Sequence, residues 1–292
     1  MRIIAQFVPI HEYKWIILCF LIQYQPMQKY FTIMKTEWQR QLVHRFNIMS
    51  YRIGATFELG TQLIIWTTVF QHQTMIGGYN YKEMMTYVLI GWFFMFCTSN
   101  FGFEQQIARQ IHLGEISSFL LKPISYIRYT ITISIGRNVM ALTSSILIQI
   151  VFILLFHNSL LPPASSLSFF ILVPMLLLGY FINLFLSMLI GLCAFWTHNV
   201  DGLFFTFRVL NRFLSGAYFP ISVLSASLIA VFSYFPFIYT LFVPVQLYLG
   251  KITLVQGVHA LLVQLGWVVA LFILIQLVWR VGIKNKYEGI GM

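Results

Sequence analysis

The chain has 292 residues, of which 59% are hydrophobic and 9% charged, with a mean hydropathy of +0.80. A soluble domain carries about 25% charged residues, so this composition excludes one and points to a membrane protein. Lys and Arg number 18 against 8 acids, a net charge of +10. In so apolar a chain that excess reads as a topology signal rather than a nucleic-acid surface.

Residues 1–26 contain WIILCFLI, a run too short to cross a bilayer and without a small-residue cleavage site. Met27 directly precedes an amphipathic pattern, so synthesis is expected to start there, with 1–26 a non-native or poorly ordered extension. Across 27–53, Phe31, Met34, Trp38, Leu42, Phe46 and Met49 recur every three or four residues. Lys35, Arg40, Arg45 and Arg52 fall mostly off that stripe. This is the pattern of a basic helix lying in the headgroup plane on the cytoplasmic side; a surface helix packed on a soluble partner is the alternative.

Residues 54–292 read as an all-α, polytopic domain of six transmembrane helices. The runs are 54–72 (with Glu58), 83–103, 129–156 (with Arg137), 167–196, a fifth from near Gly202 with Arg208 and Arg212, and 252–279. Each approaches the ~20 residues a hydrocarbon core requires. Residues 213–250 carry no charge and are broken by Pro220, Pro236 and Pro244. As one helix they would span roughly 57 Å, too long for one crossing. With six spans, eleven basic residues fall on the cytoplasmic side and only Lys82 and Lys251 outside, as the positive-inside rule requires. A seventh span would export the basic tail. Residues 221–250 are therefore expected to form an outer re-entrant hairpin, entered through Ser215 and Gly216 and left at Gly250. It should face the bundle interior or a vestibule. Both termini are then cytoplasmic.

The loop 107–128 holds GEISSFLLKPIS, residues 114–125. Gly114 permits a sharp turn. Ile116, Phe119 and Leu120 share one helical face, and Pro123 disfavours helical geometry at Lys122. From these residues alone the segment either docks on a partner or packs beneath its own bundle. Arg208, Asn211 and Arg212 share a face of the fifth span, with Glu58 a possible counter-charge. They either face a cavity, where an anionic head group would suit the arginines, or snorkel to the headgroups. Ser187 and Gly191 form a small-x(3)-small pair suited to close helix packing. The three cysteines and seven histidines show no disulfide or metal spacing.

Five stretches carry a resemblance: GEISSFLLKPIS, AFWTHNVDG, FLSGAYFPISVL, FPFIYTLFVPVQLYLG and the closing KYEGIG. Together they resemble the permease subunit of a type-2 ATP-binding-cassette (ABC) exporter, of the six-span bacterial subfamily long catalogued as a domain of unknown function. The resemblance covers the chain from about Met27 onward. It implies a half-transporter in the bacterial inner membrane, paired with a second permease, identical or sister, and driven by cytoplasmic ABC ATPase subunits. It makes Gly114, Glu115, Ile116, Phe119, Leu120, Lys122 and Pro123 the ATPase-coupling element. No G-x(4)-G-K-[ST] phosphate loop occurs in the chain, so ATP and Mg are expected on the partner, with no cofactor on this chain. Two other classes remain as alternatives. A membrane-embedded lipid-modifying enzyme would need paired acids or a His/Asp cluster. An ion-gradient transporter would show repeats with two broken helices.

Overall fold

A computed structural model describes residues 26–43, 45–100, 102–120 and 124–286. The suggested extension, Pro26 excepted, and the KYEGIG tail after Lys286 lie outside the described residues. In chain order the helices are α1 Pro26–Val43, α2 Arg45–Val69, α3 Tyr81–Thr98, α4 Phe103–His112, α5 Ser117–Leu120, α6 Tyr126–Leu155, α7 Ser166–Leu192, α8 Asp201–Ser215, α9 Ala226–Ser233, α10 Phe242–Tyr248 and α11 Leu254–Lys286. Short 3-10 turns fall at Ile221–Val223 and Phe237–Thr240, among others. Among the described residues there is no strand, only an isolated bridge between Ile76 and Tyr79.

Four stretches are long and apolar enough to cross a membrane by length and composition: Tyr81–His112, Tyr126–Leu155, Ser166–Phe195 and Leu254–Lys284. The first and fifth runs of the sequence reading differ from these. The apolarity of α2 is diluted by Glu58, Gln62 and four threonines. At 15 residues, α8 rises only about 22 Å. Both nevertheless run the height of the bundle. Arg52 on α2 sits 4.7 Å over the Phe96 ring, while Phe70 just beyond α2 meets Tyr81, at the two ends of α3. Phe204 on α8 belongs to the same apolar cluster as Phe195, and Gly216 beyond α8 reaches Tyr87 near the start of α3.

The bundle therefore has two distinct ends. At one, Tyr126 stacks on Trp279 at 4.6 Å and Phe195 sits edge-on to the same indole. At the other, the Ala164 amide donates to Tyr248 O, and Lys251 Nζ donates to Gly78 O and pairs with Glu83 at 2.9 Å. Glu83 also closes a capping box with Asn80, fixing the start of α3. The spine is α7, which packs along α11 and α4. The small pair anticipated in α7 lies at the α4 contact: a Cβ on Gly191 would stand 2.8 Å from Ile107 Cβ and 3.0 Å from Glu104 O.

Two expectations change. Residues 45–53 of the amphipathic pattern over 27–53 continue directly into the first span. α1 ends at Val43, and α2 starts at Arg45 and runs through Gly54 without a break. The reason is that Arg52 does not need the headgroups: its guanidinium donates to Ala141 O at 2.9 Å and Ser144 Oγ at 3.1 Å on α6. Residues 221–250 form two unlike halves. No residue of α9 is buried, and Tyr234 is 79% exposed. After Pro236 the chain turns inward and buries Ile238, Leu241, Val245 and Leu247. This second half faces the bundle interior, as does Ile221 at the start of the first. The segment starts and ends at the Lys251 end, with Val223 against Gly77, and dips between into the bundle, where Thr240 meets Gly179 and Leu241 meets Gly91.

Candidate functional site

The polar face of α8 is built around three residues that each reach a different helix. Arg212 Nη1 lies 2.6 Å from Glu58 Oε1 on α2. Asn211 Nδ2 donates to Asn183 Oδ1 on α7 at 3.1 Å. Arg208 Nε stands 3.9 Å from Glu104 Oε1 on α4. The first contact neutralises Arg212, leaving Arg208 as the only one of the two arginines open to an anion at this face. Around them lies a cavity of about 390 Å³ walled by α4, α7, α8 and the Phe237–Thr240 turn. Ser99, Asn183 and Ser187 are among its other polar lining residues, and Phe205, Val209 and Leu241 among its apolar ones.

Glu104 and Asn183 were not singled out from the sequence. Glu104 follows directly on a long apolar run and reads there as its hydrophilic boundary, yet it is 2% exposed. Asn183 did carry a signal, being the only amide in the thirty uncharged residues 167–196.

The segment after α4 is a tight, hydrogen-bonded turn. Gly114 takes φ +69°, a left-handed conformation that glycine adopts without strain. Its amide donates to Ile111 O and the Glu115 amide to Gln110 O, the paired bonds of a Schellman stop. Ile116 is fully buried in the main apolar cluster. The Phe119 ring packs against Tyr126 and Tyr129 of α6 at 5.3 and 4.6 Å. Of the expected apolar face, Ile116 and Phe119 are thus turned into the bundle, with the rings of α6 covering Phe119. What faces outward is Leu113, at 65% exposure, with Glu115, Ser117 and Ser118. Lys122, Pro123 and the Leu120 side chain lie outside the described residues.

A family model for the ABC-2 family transporter protein matches residues 57–291. The chain belongs to the ABC-2 transporter family. It is a multi-pass membrane protein and a permease subunit of an ABC transporter, a transport subunit of a family that works with an ATP-binding partner. Comparison with curated proteins finds no match. The matched region includes the α8 cavity, the Gly114 turn and the segment 216–250, while α1 precedes it.

In this ABC-2 permease the left-handed turn at Gly216 repeats the construction at Gly114. The Gly216 amide donates to Phe213 O and the Ala217 amide to Arg212 O. Gly216 has φ +82°, its carbonyl accepts from Tyr87 Oη at 2.7 Å, and a Cβ there would stand 2.7 Å from that same oxygen. The buried Ser215 donates Oγ–H to Arg212 O. Pro220 precedes the Ile221–Val223 turn, Pro236 opens Phe237–Thr240, and Pro244 lies in the first turn of α10, where it breaks no helical bond. Gly250 closes α10.

The permease carries a second buried charge cluster where α1 meets the bundle. Glu37 is 5% exposed and accepts from Arg137 Nε at 2.7 Å, Arg40 Nη2 at 2.9 Å and Gln41 Nε2 at 3.0 Å. Arg137, on α6, also donates to Gln106 on α4 and lies over the Phe103 ring. Burial alone would push the Glu37 carboxyl up, but its bonds from Arg40, Arg137 and Gln41 outweigh that and hold it below its ordinary value. Beside Arg137, Gly136 lets α1 approach until Met34 O is 3.0 Å from the position a Cβ would take. Meanwhile Phe31, Trp38, Leu42, Phe46 and Met49 remain exposed. α1 thus encloses Glu37 against the bundle while leaving Phe31, Trp38 and Leu42 outward, the arrangement expected beside lipid.

Proposed function

We propose that the chain forms half of the membrane pathway of an exporter. It crosses a bacterial inner membrane six times, pairs with a second permease, identical or sister, and couples through the Gly114 turn to a cytoplasmic ATPase subunit that holds ATP and Mg. The observation that carries this reading is the build of that turn. A Schellman stop and the buried Ile116 fix it rigidly to α4, while Leu113, Glu115, Ser117 and Ser118 stay outward. A rigid projection with one exposed leucine suits docking into a groove, because little conformational freedom is lost on binding. The charge distribution supports a cytoplasmic location: Arg109, Arg128, Arg280 and Lys284 belong to this end, Lys82 and Lys251 to the other.

The test is co-purification of the ATPase with the Leu113→Asp/Ser118→Arg double variant. Both side chains are exposed, so the permease should keep its thermal stability while ATPase recovery falls at least about tenfold, as loss of an interface anchor implies. Undiminished recovery, with undiminished ATP-driven transport, would refute docking through this turn.

A further inference from the structure

The cavity at α8 has an unusual charge arrangement. Arg212 and Glu58 neutralise each other at 2.6 Å. Arg208 and Glu104 do not pair closely: at 3.9 Å they stand beyond hydrogen-bond distance. Arg208 is 45% exposed, whereas Glu104 is 98% buried and its Oε1 receives no hydrogen bond from the protein. Two more buried acceptors on the same lining, Asn211 Oδ1 and Ser99 Oγ, also lack a protein partner. A buried carboxylate is costly without donors around it. Glu104, Asn211 and Ser99 therefore ask for N–H or O–H groups, and Arg208, one turn before Asn211 on α8, offers a guanidinium beside them.

We propose that this cavity binds a zwitterionic head group, its primary amine at Glu104, Asn211 and Ser99 and its anionic group at Arg208. The inference rests on the permease reading and names the class of molecule such a pathway would admit. An ammonium carries three donors, matching the three acceptors. Its counter-charge replaces one loose pair by two close, charge-assisted ones without changing the net charge of the site. An anion alone would leave Glu104 Oε1 unbonded and add a second negative charge beside it. A cation alone would sit next to Arg208 with nothing to compensate it. The volume of about 390 Å³ suits a head group. Phe205, Val209 and Leu241 give an attached apolar chain a surface to follow.

The experiment is binding to the purified full chain, without its ATPase, of four single-chain amphiphiles measured by native mass spectrometry. Lysophosphatidylethanolamine has both charges and N–H donors. Lysophosphatidylcholine has both charges without the donors, lysophosphatidylglycerol the anion only, and dodecylamine the cation only. The first is expected to bind at least about tenfold more tightly than the other three, the worth of a charge-assisted hydrogen bond. Glu104→Gln and Arg208→Gln should each remove that preference. Equal binding of lysophosphatidylglycerol, or a preference unchanged in both variants, would overturn the proposal. Should Glu104→Gln fail to fold, Asn211→Ala, at a less buried residue, must lower the ethanolamine-to-choline ratio; an unchanged ratio overturns it equally. Because no ATPase is present, failure here is distinct from failure of the docking test.

Discussion

Arg137 joins three helices through one side chain, and its removal gives the sharpest test of how α1 is held. The variant Arg137→Gln keeps a polar side chain but shortens it and removes the charge. Glu37 then stays 5% exposed and retains only Gln41 and Arg40, the latter 51% exposed and so largely screened by solvent. Removing one partner of a buried ion pair costs about 3–5 kcal/mol, because the other charge is left uncompensated. The two remaining donors to Glu37 and the 23% exposure of Arg137 bring the expectation down to about 2–3 kcal/mol. For a chain of this size that lowers the unfolding midpoint by roughly 4–12 °C.

The assay is thermal unfolding of the purified permease in a fixed detergent for wild type, Glu37→Gln, Arg137→Gln and the double variant. The double variant should recover about half or more of the loss, since two neutral partners leave no orphaned buried charge. Near-additive losses would refute the idea that the pair acts as a unit. A midpoint for Arg137→Gln within about 1 °C of wild type would refute the magnitude itself.

The same cluster makes a pH prediction. Because the folded-state pKa of Glu37 is depressed, its stabilisation is fully present above the unfolded value of about 4.3 and is lost as pH falls through the folded value. The wild-type midpoint should therefore drop more steeply below about pH 4 than that of Glu37→Gln; parallel curves would contradict it. At the other end of the molecule, Gly216→Ala forces a Cβ into Tyr87 Oη from a left-handed backbone. It should cost about 2 kcal/mol or more, against about 1 kcal/mol for Tyr87→Phe, which only removes the hydrogen bond; chemical denaturation ranks the two. Finally, Ile116→Ala should destabilise the permease by about 2–4 kcal/mol, since the side chain is fully buried, while Leu113→Ala should leave stability within about 0.5 kcal/mol. Differential scanning fluorimetry separates these outcomes.

The sequence made the long elements legible because their runs are long and nearly free of charge, as in 167–196 and 252–279. The Glu58–Arg212 contact was legible for a related reason: with so few acids in the apolar runs, a charged residue on one span has few partners to choose from. The start of α2 was not. Arg52 looked like a headgroup anchor, and nothing local reveals that Ala141 and Ser144, some ninety residues away, receive its guanidinium. Glu104 was hidden in the same way, as an acid at the edge of an apolar run whose burial is decided by α7 and α8.

The Gly114 turn exposes the limit of periodicity more generally. A 3.6-residue stripe identifies which side chains share a face; the surroundings decide whether that face turns inward. At Ile116 and Phe119 the apolar face turns into the bundle. At α1 it turns away from the bundle, with Phe31 exposed and Glu37 enclosed. Both follow from one argument. In lipid, burying an apolar side chain against another helix gains little, so polar contacts and close packing must hold helices together. At the aqueous end, where Ile116 lies, the hydrophobic effect operates in full. Four of the eight acids, Glu37, Glu58, Glu83 and Glu104, lie within 4 Å of a cation on another helix or loop. Three of those four contacts are close, at 2.9 Å or less, and tie the bundle together. The Glu104 contact is the loose one, at 3.9 Å, and it is the one that lines the cavity.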